Sequence, residues 1–295
     1  MDLRHLRHFV AVAEELHFSR AAARLGIGQP PLSQSIQALE AELGTKLFER
    51  TKRHVELTEP GQLLLTEARD ILARTERAVV LTRRAARGEV GELKVGFTAA
   101  SPFLPVVPRI IDAYRRASPD VHLTLTELPS LRQLAALADG RIDVGFVREP
   151  RTPTGDAFTF HTVLREPLIA VLRADHRLAG LDPVPLAELA GEPFVFYPAD
   201  YGTSTLEQVM ALCATAGFRP NVAQEAREAF TIIGLIAAGL GVSILPAQLR
   251  QVAVEGVVYR NLDTSEAYTT LLLAHRRGAR SALVRGFTDL AMRFV

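Results

Sequence analysis

The sequence has a single cysteine, Cys213, among its 295 residues. One thiol excludes an intramolecular disulfide framework and any metal site built from several cysteines, which is typical of a chain in a reducing compartment. We interpret Cys213, which lies in an apolar helical run, as a small buried hydrophobic residue. A secretory signal is also missing, because the apolar burst FVAVA is followed at once by two glutamates. These features predict a cytoplasmic protein.

Charge of one sign is not in excess. The formal net charge is +1 and the pI about 8.0, so overall charge does not identify a nucleic-acid-binding protein. Locally, however, Arg50, Lys52, Arg53 and His54 lie together in RTKRH with no acid among them. Such a run is usually a solvated face, and contact with phosphate is the alternative.

Catalytic signatures are absent as well. We find no GxSxG elbow, no HExxH, no Walker-type loop and no GxGxxG behind a strand. The histidines are scattered, and His5, His8 and His17 fit a helix face better than a metal site. We therefore predict a non-enzyme with no catalytic residues, no cofactor and no metal. The uncharged run FTIIGLIAAGLGVSILPA contains glycines and a proline, which favour a buried helix and a core strand over a membrane span.

The chain length predicts about two domains. In the first sixty residues, Asp2 is a plausible N-cap for one helix and Ser19 for a second, which Gly26 ends. A third helix begins around Pro30 and ends at Gly44. Its leucines and isoleucine form one apolar stripe, whereas its glutamines point away from that stripe. Two short helices joined by a tight glycine turn, the second with a polar outer face, indicate a helix-turn-helix.

Two adjacent prolines, Pro30 and Pro31, stand in the first turn of this recognition helix. Backbone N–H groups there have no intrahelical partner, so the prolines lose no helix hydrogen bond and stiffen the end presented to base edges. Gln29, Ser33 and Gln34 are then placed to reach bases or phosphates, and glutamine pairs best with adenine. The following LFERTKRHVELT predicts a two-stranded wing that carries the basic cluster.

The segment FSRAAARLGIGQPPLSQSIQALEAELGTKLFERTKRHVELTEPG resembles the winged helix-turn-helix of LysR-type transcriptional regulators. Matching residues occur in order at Ala21–Ala22, Leu25, Gln29–Pro30, Leu32–Ser33, Ile36, Leu39–Glu40, Leu43–Gly44, Leu47–Phe48, Arg50, Leu57–Thr58 and Gly61. Two positions differ from the usual pattern: Gly28 replaces a capping Ser or Thr, and Gln34 replaces a common arginine. Together with the outward polar face, the resemblance predicts these DNA-binding residues: Gln29, Pro30, Pro31, Ser33, Gln34, Gln37, Arg50 and Arg53.

A long helix follows, with no helix breaker between Gly61 and Gly88. Its apolar and small residues are spaced alternately by three and four, at Leu65, Ala68, Leu72, Thr75, Val79, Thr82 and Ala86. This is a thin heptad seam, and an ordinary amphipathic helix packed on its own domain is the alternative. The resemblance favours pairing through this helix. It also implies a homodimer or homotetramer, double-stranded DNA with an interrupted palindromic operator, and RNA polymerase as partners, with no membrane partner.

Beyond residue 91 the pattern alternates between strands and helices. Strands are predicted in LKVGFTA, HLTLTEL, RIDVGFV, EPLIAVLR, PFVFYP, GVSILP and YTTLLLAHR, and helices in 102–117, SLRQLAALADG, TSTLEQVMALCATAG and EAFTIIGLIAAG. This alternation indicates a doubly wound α/β fold. The resemblance implies a two-lobed effector domain similar to type 2 periplasmic binding proteins. We place DNA-binding, linker and effector regions at 1–58, 59–88 and 89–295, with lobe I at 91–162 and 267–295 and lobe II at 163–266.

Hydroxyl groups follow several predicted strands at the places where helices begin, and free N–H groups there favour an anion. Each hydroxyl alone is more often a plain helix cap. Their convergence, with a nearby arginine and aromatic residues, predicts a small carboxylate-bearing effector, and the resemblance favours a metabolite of aromatic catabolism. The predicted effector-binding residues are Ala100, Ser101, Ser130, Arg148, Tyr197, Thr203, Ser204 and Phe230.

Two other classes of protein compete with this interpretation. An enzyme has no signature here, as described above. A solute-binding protein accounts for residues 91–295, but it leaves the first ninety residues unexplained and needs an export signal. We therefore predict a ligand-responsive transcription regulator.

Overall fold

The computed structural model of the protein describes residues 1–50, 54–150 and 155–295. The chain forms two compact units, Met1–Arg84 and Ala85–Val295. The elements of the first unit are α1 (Leu3–Glu15), α2 (Phe18–Leu25), α3 (Gln29–Leu43), β1 (Phe48–Arg50), β2 (Val55–Leu57) and α4 (Glu59–Ala86).

A compact core holds α1, α2 and α3 together. Phe9, Ala21 and Ile36, one from each helix, have no exposed surface. The small side chain of Ala21 lets the neighbouring helices pack closely against α2. The turns after α2 and α3 are closed by Gly26 and Gly44, whose φ angles of 69° and 67° lie in the left-handed region that favours glycine. The predicted helix-turn-helix is confirmed.

The prediction that Ser19 caps α2 is wrong. The cap is His17, whose ring Nδ1 accepts a hydrogen bond from the backbone N–H of Arg20. Ser19 lies inside the helix, and its hydroxyl donates to Gln29 Oε1 at 2.7 Å. An imidazole nitrogen therefore does the capping, and the serine ties α2 to the first residue of α3.

The wing is an antiparallel pair in which Glu49 of β1 lies opposite Glu56 of β2. Thr58 joins it to α4, because its hydroxyl donates to Lys46 O at 2.7 Å and accepts from the Gly61 N–H at 3.0 Å. The backbone of Leu47 lies so close to α4 that a Cβ at Gly61 would stand 2.1 Å from the Leu47 carbonyl oxygen. Only glycine fits at this position.

The two halves of α4 have different surroundings. Leu65 and Ala68, in the first half, are buried in the core of the first unit. Val79, Val80 and Leu81 are 46%, 53% and 41% exposed. The amphipathic-helix interpretation therefore fits the first half, and the second half presents apolar side chains to solvent.

The second unit is an α/β structure with a mixed sheet. Its elements are β3 (Gly91–Phe97), α5 (Val106–Ala117), β4 (Val121–Glu127), α6 (Ser130–Ala138), β5 (Val144–Arg148), β6 (Phe158–Arg173), β7 (Pro193–Phe196), α7 (Ser204–Thr215), β8 (Asn221–Glu225), α8 (Ala229–Ala237), β9 (Ser243–Pro246), β10 (Val257–Asn261), β11 (Tyr268–Arg276) and α9 (Ala282–Ala291).

Strand β6 runs through both lobes of this unit. Its first part pairs with β11, which continues to β5, β3 and β4, with β3 parallel to both β4 and β5. Its second part pairs with β9 and β10, beside the small parallel pair β7–β8. Separate buried clusters fill the two lobes, around Phe146 and Phe287 in one and around Phe194 and Ile233 in the other. One strand therefore connects two cores.

Some predicted elements differ from the observed ones. The helix predicted at 102–117 begins at Val106, because Ser101–Phe103 form a short 3-10 turn. Strands β8 and β10 and the first half of β6 were not predicted. The buried helix and core strand predicted in the uncharged run are present as α8 and β9. Within the described ranges no helix is long and apolar enough to cross a membrane.

Candidate nucleic-acid interface and ligand cleft

The N-terminal end of α3 is exposed and carries several polar side chains. Gln29 is the first helical residue, after Gly28 at the cap, and Pro30 and Pro31 complete the first turn. Gly28 makes no side-chain cap bond, and Pro30 and Pro31 have no N–H, so the backbone N–H of Gln29 is the donor that the first turn of α3 can offer to a phosphate. Gln29, Pro30, Pro31, Gln34 and Gln37 are exposed and Ser33 is partly exposed. Their contact with DNA stays a prediction.

Arg50 is held by its own domain. Its Nη2 lies 3.3 Å from Glu40 Oε2, and its guanidinium lies 4.7 Å from the centre of the Phe18 ring. The side chain is 28% exposed, which leaves part of it available to a phosphate. Arg50 therefore stabilises the wing, whether or not it also contacts DNA. Arg53, the other predicted wing contact, lies outside the described residues.

Sequence reasoning gave no structural role to Glu40, which is only 3% exposed. Its Oε1 accepts hydrogen bonds from the N–H groups of Leu47 and Phe48, at 3.0 and 3.3 Å, and its Oε2 accepts from Lys46 Nζ at 3.2 Å. Burial opposes ionisation of Glu40, but the bonds from Leu47 and Lys46 and the charge of Arg50 hold its pKa below the ordinary value. The Glu40 carboxylate thus fixes the backbone of Leu47 and Phe48, where the chain enters the wing.

Glu40→Gln is expected to destabilise the first unit by about 1–3 kcal/mol at neutral pH, because it removes the charge from several hydrogen bonds. A lowered folded-state pKa contributes stability above the ordinary value of 4.5, and that contribution is lost as pH falls through the folded pKa. Denaturant unfolding between pH 7 and pH 3 should therefore show a weaker pH dependence for the variant. The exposed Glu42→Gln, on the same helix, is the control, and equal pH dependence in the two variants would contradict the role of Glu40.

A cavity of about 90 Å³ lies between the two lobes of the second unit. It is located beyond the carboxyl ends of β3, β4 and β5, where α/β sheets bind ligands. The N-terminal ends of α6, α7 and α8 also reach it, through Pro129, Thr203 and Ala229, and none of these helices has a side-chain cap bond. Three helix N-terminal ends facing one cavity favour an anion beside them.

Arg148, at the end of β5, is the buried cation of this cavity, and it is 3% exposed. Its backbone N–H donates to Ser130 Oγ at 3.0 Å, and its Nη2 lies 2.6 Å from Glu166 Oε1 and 3.4 Å from Gln248 Oε1. Its Nη1 is buried and has no hydrogen-bond partner among the described residues. One nitrogen of the guanidinium is therefore left to a ligand.

The predicted effector-binding residues have three different locations. Ala100, Arg148, Tyr197 and Thr203 line the cavity. Three buried serines lie outside its lining: Ser101 Oγ bonds Thr98, Ser130 Oγ accepts from Arg148, and Ser204 Oγ has no partner among the described residues. Phe230 does not line the cavity, because it packs edge to face on Phe103 at 4.9 Å between ring centres.

Several lining residues were missed at the sequence level, among them Glu127, Tyr201, Arg227 and Glu228. Glu127 ends β4, so the strand-end rule that selected Ala100 would have found it. Tyr201 donates to Glu228 Oε1 at 2.9 Å, and burial together with this bond raises the pKa of Tyr201 to about 12. This tyrosine therefore stays protonated and acts as a donor.

Two larger depressions, of about 520 and 550 Å³, both include Tyr268 in their lining. The first is lined by Glu149 and Glu266 without a cation, and the second includes none of the predicted effector-binding residues. Both are more open to solvent than the cavity at Arg148. The smaller cavity is the better candidate for the ligand site, because its arginines and helix N-terminal ends favour an anionic ligand.

Both parts of the chain match known protein families. The family described as "Bacterial regulatory helix-turn-helix protein, lysR family" matches residues 3–62, and the "LysR substrate binding domain" matches residues 86–294. An uncharacterized HTH-type transcriptional regulator of Escherichia coli, YnfL, is 44% identical over 92% of this chain and 91% of its own. CatR, an HTH-type transcriptional regulator of Pseudomonas putida, is 41% identical over 97% of this chain and 96% of its own.

Solved structures show the same architecture over the whole length. The crystal structure of full-length CbnR in complex with its target DNA superposes with a TM-score of 0.81 at 28% identity, and the match covers 100% of this chain and 99% of that one. The predicted combination of an N-terminal helix-turn-helix with a two-lobed α/β part is confirmed.

Proposed function

The chain belongs to the LysR family of transcription regulators, and we propose from its geometry that a small carboxylate bound at Arg148 controls its binding to DNA. In this proposal the exposed end of α3 enters the major groove of a palindromic operator with an interruption between its half-sites. Each relative reported above is named as a regulator, which favours regulation over catalysis. The proposal places the protein in the cytoplasm, in contact with DNA and with RNA polymerase.

The observation that carries the carboxylate assignment is the environment of Arg148. Three helix ends without a side-chain cap bond surround one small cavity, together with a buried guanidinium nitrogen that has no partner in the described part of the chain. A carboxylate can accept hydrogen bonds from the N–H groups at these helix ends and from the guanidinium nitrogen, because these two kinds of donor bind carboxylates best. A neutral ligand without acceptors would leave Nη1 unsatisfied, at a cost of about 1–3 kcal/mol.

The charges around the cavity restrict which carboxylates fit it. Two arginines, Arg148 and Arg227, and two glutamates, Glu127 and Glu228, line it. Arg148 is also paired with Glu166, so three carboxylates balance the two guanidinium groups and the side chains supply no net positive charge. A monocarboxylate is therefore favoured over a dianion, with Tyr197, Leu128 and Leu249 supplying contact surface for its remainder.

The exposed second half of α4 supports pairing of two chains. Val79, Val80 and Leu81 give it an apolar surface that a second copy of the helix would bury. Two recognition helices on a dyad add their base and phosphate contacts, which a single short helix cannot supply in sufficient number. We propose a homodimer, or a homotetramer built from such dimers.

The decisive experiment combines DNA binding and ligand binding on the full chain. Gel shifts with the DNA upstream of the gene should show a specific complex, and footprints should show two half-sites. Calorimetry against a panel of small monocarboxylates should find at least one ligand that changes the footprint. A specific DNA complex without any carboxylate binder would reject the effector assignment and keep the regulator. Failure of DNA binding would reject both.

Gln34→Arg is expected to change discrimination at one base position of each half-site by about 1–3 kcal/mol, because arginine prefers guanine where glutamine prefers adenine. The measurement is binding to a randomised operator library. Gln62→Arg, which adds the same charge on exposed α4, is the control and should change affinity without changing the base preference. An unaltered preference in Gln34→Arg would show that residue 34 does not face the bases.

A further inference from the structure

Two histidines face each other in lobe I, away from the cavity at Arg148. His161 of β6 lies opposite Leu273 of β11, so His275, two residues further along β11, shares the same face of the sheet. His275 also lies opposite Val144, the first residue of β5, whereas Arg148 is the last. The pair therefore lies at the other end of the sheet from the cavity.

The two imidazoles approach each other through their Nε2 atoms, which are 3.3 Å apart. The ring planes differ by 24° and the ring centres are 5.4 Å apart. Two imidazole nitrogens bound to one tetrahedral Zn²⁺ at about 2.1 Å lie about 3.4 Å from each other. The nitrogens therefore already have the separation of two ligands of one ion, and a small rotation of each ring would direct both lone pairs to a common point.

The tautomer of His275 is set by a hydrogen bond. Its Nδ1 lies 2.9 Å from the carbonyl oxygen of Arg276, which can only accept, so Nδ1 carries the proton and Nε2 keeps its lone pair. Metal-binding histidines characteristically donate their second nitrogen to a carbonyl or a carboxylate in this way.

We propose that His161 and His275 bind a divalent transition-metal ion, with Zn²⁺ and Cu²⁺ as the best matches to imidazole. The hydrogen atom between the two Nε2 atoms moves to Nδ1 of His161, and the ion occupies its place. Asp289 of α9 adds a negative charge near His161. The described residues contain no group of three or more potential ligands, so water completes the coordination.

Binding at this position joins β6 directly to β11. The ion therefore stabilises lobe I, because it binds the folded pair and not two separated histidines. This inference does not depend on the carboxylate proposal, and it departs from the sequence-based expectation of no metal site. No sequence motif indicates this pair, because the two histidines are far apart in the chain and meet only through the strand register.

The test is titration of the full chain, without a histidine tag, by isothermal calorimetry with Zn²⁺. His161→Gln and His275→Gln are each expected to lose one equivalent or to weaken it at least about tenfold. His122→Gln, an exposed histidine on β4 of the same lobe, is the matched control and should keep that equivalent.

Two measurements on the unaltered chain keep the test valid if a variant misfolds. Cu²⁺ bound here should show two coordinated nitrogens by electron paramagnetic resonance. Zn²⁺ should protect His161 and His275, but not His122, from carbethoxylation detected by mass spectrometry. Equal protection of all three histidines, or variants that bind Zn²⁺ as the unaltered chain does, would reject metal binding by His161 and His275. The two imidazoles would then form only a hydrogen bond with each other.

Discussion

Gly61→Ala is expected to be the most damaging small substitution in the first unit. Its Cβ would stand 2.1 Å from the Leu47 carbonyl oxygen, a separation that real structures do not show, so either β1 or the start of α4 must move. We expect a loss of about 3 kcal/mol or more, which lowers the melting temperature of a unit of this size by roughly 10–20 °C. Hydrogen exchange in peptides from residues 1–84 of the full chain measures the effect.

Gly28→Ser is the matched control for this prediction. Gly28 is the N-cap of α3, and its φ is −70°. The atoms nearest to an added Cβ belong to Pro31 and are 3.4 Å or more away. A capping serine would bond the N–H of residue 30 or 31, but both are prolines, so serine gains no cap bond here and the change should be close to neutral. If Gly61→Ala behaved like Gly28→Ser, the contact between Leu47 and α4 would not be what holds the wing.

Arg148→Met is expected to abolish binding of a carboxylate effector, with a loss of at least about 100-fold in affinity, because it removes the charged donor inside the cavity. The same substitution leaves Glu166 buried and unpaired. Breaking a buried ion pair in this way costs about 3–5 kcal/mol of stability. Calorimetry and denaturant unfolding of the second unit in the full chain measure the two effects separately.

The double variant, Arg148→Met with Glu166→Gln, distinguishes a role of Arg148 in ligand binding from a role in stability. Removing both charges should recover most of the stability while binding stays lost. Glu166→Gln alone should bind the carboxylate more tightly than the unaltered chain, because Arg148 then keeps its full charge for the ligand. A double variant that regained binding would show that Arg148 acts only by supporting the lobe.

Local signals in the sequence predicted the elements that depend on local chemistry. The helix-turn-helix followed from an apolar stripe at Leu32, Ile36 and Leu39 and from glycines where left-handed backbone closes each turn. The position of the cavity followed from the ends of the strands, which is how Ala100 and Arg148 were selected. These inferences needed only spacing and the rule that ligands bind beyond the carboxyl ends of strands.

The remaining features depend on contacts that spacing does not reveal. Glu40 borders the apolar stripe and resembles an ordinary surface acid until β1 covers it. Arg148 meets Glu166 across the intervening strand β11, which only the strand order shows. The first half of β6 is a different case, because FTFHTVLR is rich in aromatic and β-branched residues, which is a local strand signal that the prediction did not use.

If two chains pair through the exposed half of α4, as we propose, the response of the regulator depends on its abundance. When the concentration of the chain is low, the pairs dissociate and the apolar surface of α4 is exposed to solvent. The population of pairs then rises with the square of the number of chains, so a doubling of expression changes operator occupancy up to about fourfold. Substitutions at Val79, Val80 or Leu81 would therefore shift the expression level at which the regulated promoter responds, while leaving the DNA sequence it recognises unchanged.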